Sequence, residues 1–205
     1  FARRLPGAPS GYDALWRGSI KHRGEFWQAV WNDGGVIASR LADRPVGREA
    51  MPGTEWFPGA RLNFAENLLR RSDATPAIIH ASEYADPEEI TWAELRDLVG
   101  RVRNGLVRLG VASGDRVAAL LPNGPEAVIA MLAAASIGAI WSSCSPDFGP
   151  RGVIDRFGQI EPKVLIAVTR YRYNGKDHDV VATVAYAVET ISSIEHLVLV
   201  GDLRE

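Results

Sequence analysis

One cysteine in 205 residues excludes an internal disulfide, and with only four histidines the chain shows no Cys/His spacing of a metal site. There is no run of about 18 uninterrupted apolar residues and no charged-then-apolar leader, so no membrane contact and a cytoplasmic location are expected. Acidic and basic residues are interspersed and the formal net charge is −2, which leaves no electrostatic footprint for nucleic acid. The motifs that cradle phosphates are missing as well: there is no Gly-x-x-x-x-Gly-Lys-Ser/Thr loop and no Gly-x-Gly-x-x-Gly after a strand. A Gly-x-Ser-x-Gly elbow is also lacking, so no residue of the chain is assigned a catalytic role.

What is present reads as an α/β fold. A hydrophobic fraction of 46% supports a core, and the length suits one sizeable domain or a small domain with an extension. The pattern is clearest from Gly114 to Val168. Asp115-Arg116 precedes an aliphatic run, Val117 to Leu121, that fits a strand buried on both faces. Asn123-Gly124 would suggest a hairpin turn, but Pro125-Glu126 is how a helix begins, and Pro125 to Ile140 has no polar face. That predicts a buried helix whose small residues, Ala130, Ala133, Ala134, Ala135, Ser136 and Gly138, allow close approach to a sheet. Ile140 to Ser143 is then the next strand, which completes a parallel crossover.

The flanks differ in texture. Trp16, Trp27, Trp31 and Trp56 fall in short helical or irregular pieces. Tyr12 to Ile20 predicts one helix, and Phe26, Trp27, Val30 and Trp31 predict a second that ends at Gly34-Gly35. A Pro/Gly-rich connection follows, and Leu62, Ala65, Leu68 and Leu69 suggest a short amphipathic helix. Ala77 to Ala81 and Glu89 to Thr91 read as an antiparallel pair at a sheet edge, with His80 a strand residue. Thr91-x-x-Glu94 is a capping box, and Leu95, Leu98, Val99, Val102, Leu106 and Leu109 keep one apolar stripe with Gly110 as the stop. Further on, Val153, Ile154, Phe157 and Ile160 suit a helix, Val164 to Val168 a strand, and Thr183 to Ser192 a helix. His196 to Val200 reads as a last buried strand. The expectation is an incomplete doubly wound, mainly parallel sheet with helices on both faces, preceded by a helical and irregular extension.

Several stretches resemble a known family. The strand, Ala-rich helix and strand from Gly114 onward resemble the first part of the adenylate-forming acyl-CoA synthetases. Ser143 to Gly149, Val153 to Phe157, Gln159 to Lys163 and Tyr173-Asn174-Gly175-Lys176 are similar to the acetoacetyl-CoA synthetases in particular. Acetyl-CoA synthetases share the layout but carry glycines near Ser145 to Asp147. The Tyr-x-x-Leu-Trp and Phe-Trp-x-x-Val elements resemble the N-terminal extension of both groups, which implies an extension over residues 1–70 and the first part of a large AMP-binding domain over 71–205.

The resemblance implies a two-step ligase in which acetoacetate and ATP, with Mg²⁺, give an acyl-adenylate and pyrophosphate, and CoA then displaces AMP. In that family the phosphate loop and the catalytic lysine lie downstream of the segments matched here, so this chain reads as the front part of the enzyme. None of ATP, Mg²⁺ and CoA is expected to bind tightly to these 205 residues alone. Small-molecule substrates and the downstream part of the same chain are the expected partners, with self-association through an unfinished sheet edge at His196 to Val200. The resemblance further implies that Ser145, Pro146 and Asp147, with Arg170, Arg172 and Lys176, face the CoA nucleotide, where cations suit a 3′-phosphate. Each has a plainer reading: Asp147 as the cap of a helix starting near Pro150, Arg156 as a surface partner of Asp155 or Glu161, Lys176 as decoration of the Asn174-Gly175 turn, and Cys144 as a small core residue. Two other readings compete. One is a related short-chain acyl-CoA synthetase such as acetyl-CoA synthetase. The other is a non-catalytic α/β binding or scaffolding module that uses the Trp-rich extension as its interface.

Overall fold

In the computed structural model, Leu5 and residues 10–201 are described; the ends of both expected domains, 1–4 with 6–9 and 202–205, lie outside the described residues. The chain divides between Asn67 and Leu68 into two compact units.

The first unit holds α1 (Tyr12–Lys21), α2 (Arg23–Asp33) and α3 (Phe64–Leu68). Neither α1 nor α2 buries a residue fully. Its aromatics pack on one another instead: Trp27 lies edge-on to Trp56 at 5.9 Å between ring centroids, and Trp31 lies 4.5 Å from Phe57. The Pro/Gly-rich connection is held by isolated bridges, Arg40 with Arg61 and Val46 with Trp56. Asn67 closes the unit, because its amide accepts from the Ile37 N–H at 2.8 Å and donates to the Ile37 and Asn63 carbonyls at 2.9 Å. The short helix begins at Phe64, so Leu62 lies outside it and is half exposed.

The second unit opens with β1 (Pro76–His80) and β2 (Glu88–Thr91), which pair antiparallel. They form a separate two-stranded sheet rather than the edge of the main one. Then α4 (Trp92–Arg108) starts on the expected box: Thr91 Oγ1 accepts from the Glu94 N–H, and the Glu94 carboxylate accepts from the Thr91 N–H at 2.8 Å and the hydroxyl at 2.7 Å. Leu95, Val99 and Leu106 are its buried stripe, and Gly110 follows at φ 76°.

The main sheet is built from β3 (Arg116–Leu120), β4 (Ile140–Cys144), β5 (Val164–Val168) and β8 (His196–Val200), all parallel, in the order β4-β3-β5-β8. The intervening helices are α5 (Pro125–Ile137), α6 (Pro150–Phe157) and α7 (Val181–Thr190), with a small hairpin of β6 (Arg170–Tyr173) and β7 (Lys176–Asp179) after β5. The chain moves one way from β3 to β4 and then crosses to the other side of β3, which right-handed crossovers translate into helices on opposite faces. Accordingly α4 packs on α5 and α6 packs on α7. With the sheet beneath and α4 outside, α5 has only Glu126 exposed along its length, which is why its sequence lacks a polar face.

That helix stops at Gly138, φ 82°, before the Ile140 that the apolar run alone would include. Its left-handed conformation favours glycine there, and a Cβ would also crowd Ser113, at 2.8 Å from Oγ and 3.3 Å from Cβ. Strand β5 is buried throughout and β3 nearly so. Strand β8 differs from the expected buried strand: Leu197 and Leu199 are exposed and alternate with half-buried residues, so the face that these two leucines share lies open while the other face is partly covered.

Two cations pin the amino end of the sheet. Arg116 donates to the Ile160 and Glu161 carbonyls at 2.8 Å, and Lys163 donates to the Gly110 carbonyl at 2.9 Å with Asp115 at 3.5 Å. The Ala112 N–H, at 2.9 Å from Asp115 Oδ2, holds that carboxyl below its usual range, with Lys163 contributing less.

Candidate functional site at the carboxyl edge of the sheet

The register brings three strand ends level. Leu120 pairs with Cys144 on one side and with Ala167 on the other, so the segments after β3, β4 and β5 leave the same edge. Between β3 and β5 the direction of strand addition reverses, and at such a point loops diverge and leave a crevice outside the carboxyl ends.

After β4 the chain turns at once, with the Phe148 N–H donating to the Ser145 carbonyl at 3.2 Å. Ser145 and Asp147 are exposed while Pro146 is buried beneath them. Asp147 does not cap α6: Gly149 occupies the cap position with no side-chain cap, and Pro150 follows at the first turn. Backbone geometry alone starts this helix. Arg156 is not drawn to Asp155 or Glu161 either, since its guanidinium carbon stands over the Phe148 ring at 4.3 Å. Gly152 permits that arrangement, because a Cβ there would meet Phe148 at 3.3 Å.

Cys144 ends β4 half-buried. Burial pushes its thiol up to about 11, with Arg156 opposing and Asp147 adding to the shift. A thiol so placed stays protonated at neutral pH and is a poor nucleophile, in keeping with the packing reading.

After β5 the chain makes the β6–β7 hairpin. Asn174 and Gly175 stand at φ 49° and 73°, the two left-handed positions of a tight two-residue turn. Residues directly opposite on an antiparallel pair share a face, so the pairings Arg170 with Asp179 and Arg172 with Asp177 put both arginines on one face among carboxylates. Lys176 pairs with Tyr173 and lies on the other face, next to the stacked Tyr171 and His178 rings, 4.9 Å apart. All three cations are exposed. Arg172 is 3.6 Å from Asp177, and its guanidinium carbon is 4.4 Å from the centre of the Tyr84 ring. The six sequence-derived residues thus lie on the segments that follow β4 and β5, two strands with β3 between them, and Lys176 is separated from the arginines by the hairpin itself.

Three features were not anticipated from sequence: the hairpin strands, the Arg156–Phe148 contact and the part played by Tyr84. Asn-Gly between alternating Arg/Tyr and Lys/Asp/His residues was an available signal for the first. Away from this edge, a groove of about 540 Å³ lies along β2 and the start of α4, lined partly by Glu89, Glu94, Asp97 and Arg101. No group of three or more His, Cys, Asp or Glu that could hold a metal occurs among the described residues, and no helix among them is long and apolar enough to cross a membrane.

The AMP-binding enzyme family model matches residues 64–202. The chain belongs to the AMP-binding enzymes. The region before the main unit of this AMP-binding family member matches the acetyl-coenzyme A synthetase N-terminus model, over residues 12–68. Among relatives, the chain is 48% identical over 182 residues to an acetoacetyl-coenzyme A synthetase of Rhizobium meliloti (strain 1021), a match that covers 89% of this chain and 28% of that protein. It is 41% identical over 199 residues to an acetoacetyl-CoA synthetase of Rattus norvegicus, covering 94% of this chain and 29% of the relative. The solved structure of an acetoacetyl-CoA synthetase from Streptomyces lividans superposes with a TM-score of 0.91 at 44% identity, over 97% of this chain and 31% of that one. The resemblance read from Ser143 to Lys176 is borne out, and the chain spans about three tenths of the length of the relatives it matches.

Proposed function

We propose that the whole protein is an ATP-dependent acetoacetate–CoA ligase, of which residues 1–70 form an N-terminal extension and 71–205 the first part of the adenylation domain. The observation that carries the proposal is the match over about nine tenths of this chain to proteins named acetoacetyl-CoA synthetases. A carboxylate oxygen of acetoacetate attacks the α-phosphorus of ATP and displaces pyrophosphate. The CoA sulfur then attacks the acyl carbon and displaces AMP, so that a poor acyl donor is activated by a good leaving group. Positive charge offsets the phosphate charge in such a transfer, and Mg²⁺ is the expected cation.

The share of this chain in the reaction is at the CoA end. Ser145, Pro146 and Asp147 supply the turn, and Arg170, Arg172 and Lys176 supply the charge, at a sheet edge where ligands of open α/β sheets bind. Exposed cations fit a nucleotide phosphate. No Mg²⁺ ligand and no catalytic group is assigned to these residues. The same reading places the protein in the cytoplasm, acting on small molecules. Acetate is the competing substrate, because the extension matches the acetyl-coenzyme A synthetase model. The experiment is to incubate the full-length protein with ATP, Mg²⁺, CoA and an equimolar mixture of the two acids and to identify the thioester by mass. Acetoacetyl-CoA as the main product is expected, and acetyl-CoA in its place would transfer the protein to the acetate-using group.

A further inference from the structure

The loop between β1 and β2 reaches the β6–β7 hairpin through one side chain, 91 residues away in sequence. In a two-residue turn with both central residues at positive φ, the second residue's N–H lies outside the strand ladder, free for water or for an acceptor from elsewhere in the chain. The hydroxyl oxygen of Tyr84 takes that role, accepting from the Gly175 N–H at 2.7 Å. The same hydroxyl donates to the carboxylate of Glu83, which keeps the phenol neutral and fixes where its lone pair points. The ring carries the Arg172 guanidinium at 4.4 Å, and Asp177 stands on the same guanidinium at 3.6 Å. Turn and cation are therefore held by one residue that lies in neither strand of the hairpin.

We propose that Tyr84 is a positioning residue for CoA binding, one that fixes the tip of the β6–β7 hairpin and the Arg172 guanidinium so that the basic edge meets a CoA phosphate already formed. The proposal rests on the reading of this edge as the CoA face. A free arginine at the end of a loose turn must be ordered when the phosphate arrives, and that cost weakens binding; a turn tied at Gly175 and a cation resting on a ring are ordered beforehand. Tyr84 itself need not touch the nucleotide.

The test uses the full-length protein with Tyr84→Phe, which removes only the hydroxyl, Tyr84→Ala, which removes the ring as well, and Arg172→Ala as the reference for the edge. Amide hydrogen exchange of peptides covering 170–179 reports the hairpin, the KM for CoA reports its use, and acetoacetate-dependent ATP–pyrophosphate exchange reports adenylation. Faster exchange in Tyr84→Phe, and a CoA KM raised about threefold in Tyr84→Phe and about tenfold in Tyr84→Ala with adenylation unchanged, is the expected pattern. If Arg172→Ala raises the CoA KM and Tyr84→Ala does not, the positioning role is overturned while the CoA face stands. If Arg172→Ala and Lys176→Ala both leave the CoA KM unmoved, the CoA face is wrong and this proposal falls with it. A Tyr84→Ala variant that loses adenylation and CoA use equally, with Tyr84→Phe silent, would show a merely structural residue and overturn it too.

Discussion

At the end of β4 the half-buried Cys144 thiol has its pKa pushed up to about 11, from an ordinary 9.0, so the fraction present as thiolate near neutral pH falls by roughly a hundredfold. Iodoacetamide should therefore modify Cys144 far more slowly than an open thiol in the same buffer, with a rate that climbs as pH rises towards 11. Labelling at pH 7.5 as fast as that of free cysteine would contradict the burial described. Lys176 makes the opposite case, since it is exposed and opposite an aromatic residue rather than an acid. If it faces the CoA phosphate, Lys176→Ala in the full-length protein raises the KM for CoA about three- to tenfold, lowers the salt dependence of CoA binding and leaves adenylation alone. A lysine that only decorates the turn gives the parent's constants in all three.

Among the elements, α4 is started by side chains that satisfy otherwise free amides, and Thr91→Ala should cost about 1 kcal/mol, read as a lower urea midpoint. Hydrogen bonds from the Thr91 N–H and hydroxyl hold the Glu94 carboxyl below its usual range. A folded-state pKa below the unfolded value gives stability that is present above the unfolded value and lost as pH falls through the folded one. The gap between parent and Thr91→Ala should accordingly narrow from about pH 7 to about pH 3. The Thr91 N–H bond to Glu94 survives in the alanine variant, so an undiminished gap would show that the Thr91 hydroxyl contributes nothing to holding the Glu94 carboxylate. This box, the stripe on α4 and the alternation from β3 to α7 were legible in the sequence because each depends on neighbours within a few residues. Asn-Gly shows how context decides: at 123–124 a proline follows and a helix starts, while at 174–175 the same pair, between alternating Arg/Tyr and Lys/Asp/His residues, turns a hairpin. Asp147 had the composition of a cap but lies too early, and the chain starts α6 on Gly149 and Pro150 without it. Strand β8, His-Leu-Val-Leu-Val, reads as buried on both faces, and Leu197 and Leu199 are exposed because the face they share is left open, which no local pattern encodes. Tyr84 was invisible for the same reason, since its partner lies 91 residues on.

For the whole molecule, the order β4-β3-β5-β8 matters most, because with its register it levels three strand ends, so that the Ser145–Asp147 turn and the β6–β7 hairpin leave the same edge of the sheet. The amino end of the sheet is tied by Arg116 and Lys163 to backbone carbonyls, while beyond the carboxyl end Arg172 is shared between Asp177 and the Tyr84 ring and Lys176 is exposed opposite Tyr173. The proposed place of this edge in an acetoacetate ligase is tested most directly by the rate of pyrophosphate release by the full-length protein with each acid in turn. A kcat/KM for acetoacetate at least about tenfold above that for acetate is expected, a difference of about 1.4 kcal/mol in transition-state stabilisation. Equal or faster turnover of acetate would contradict it.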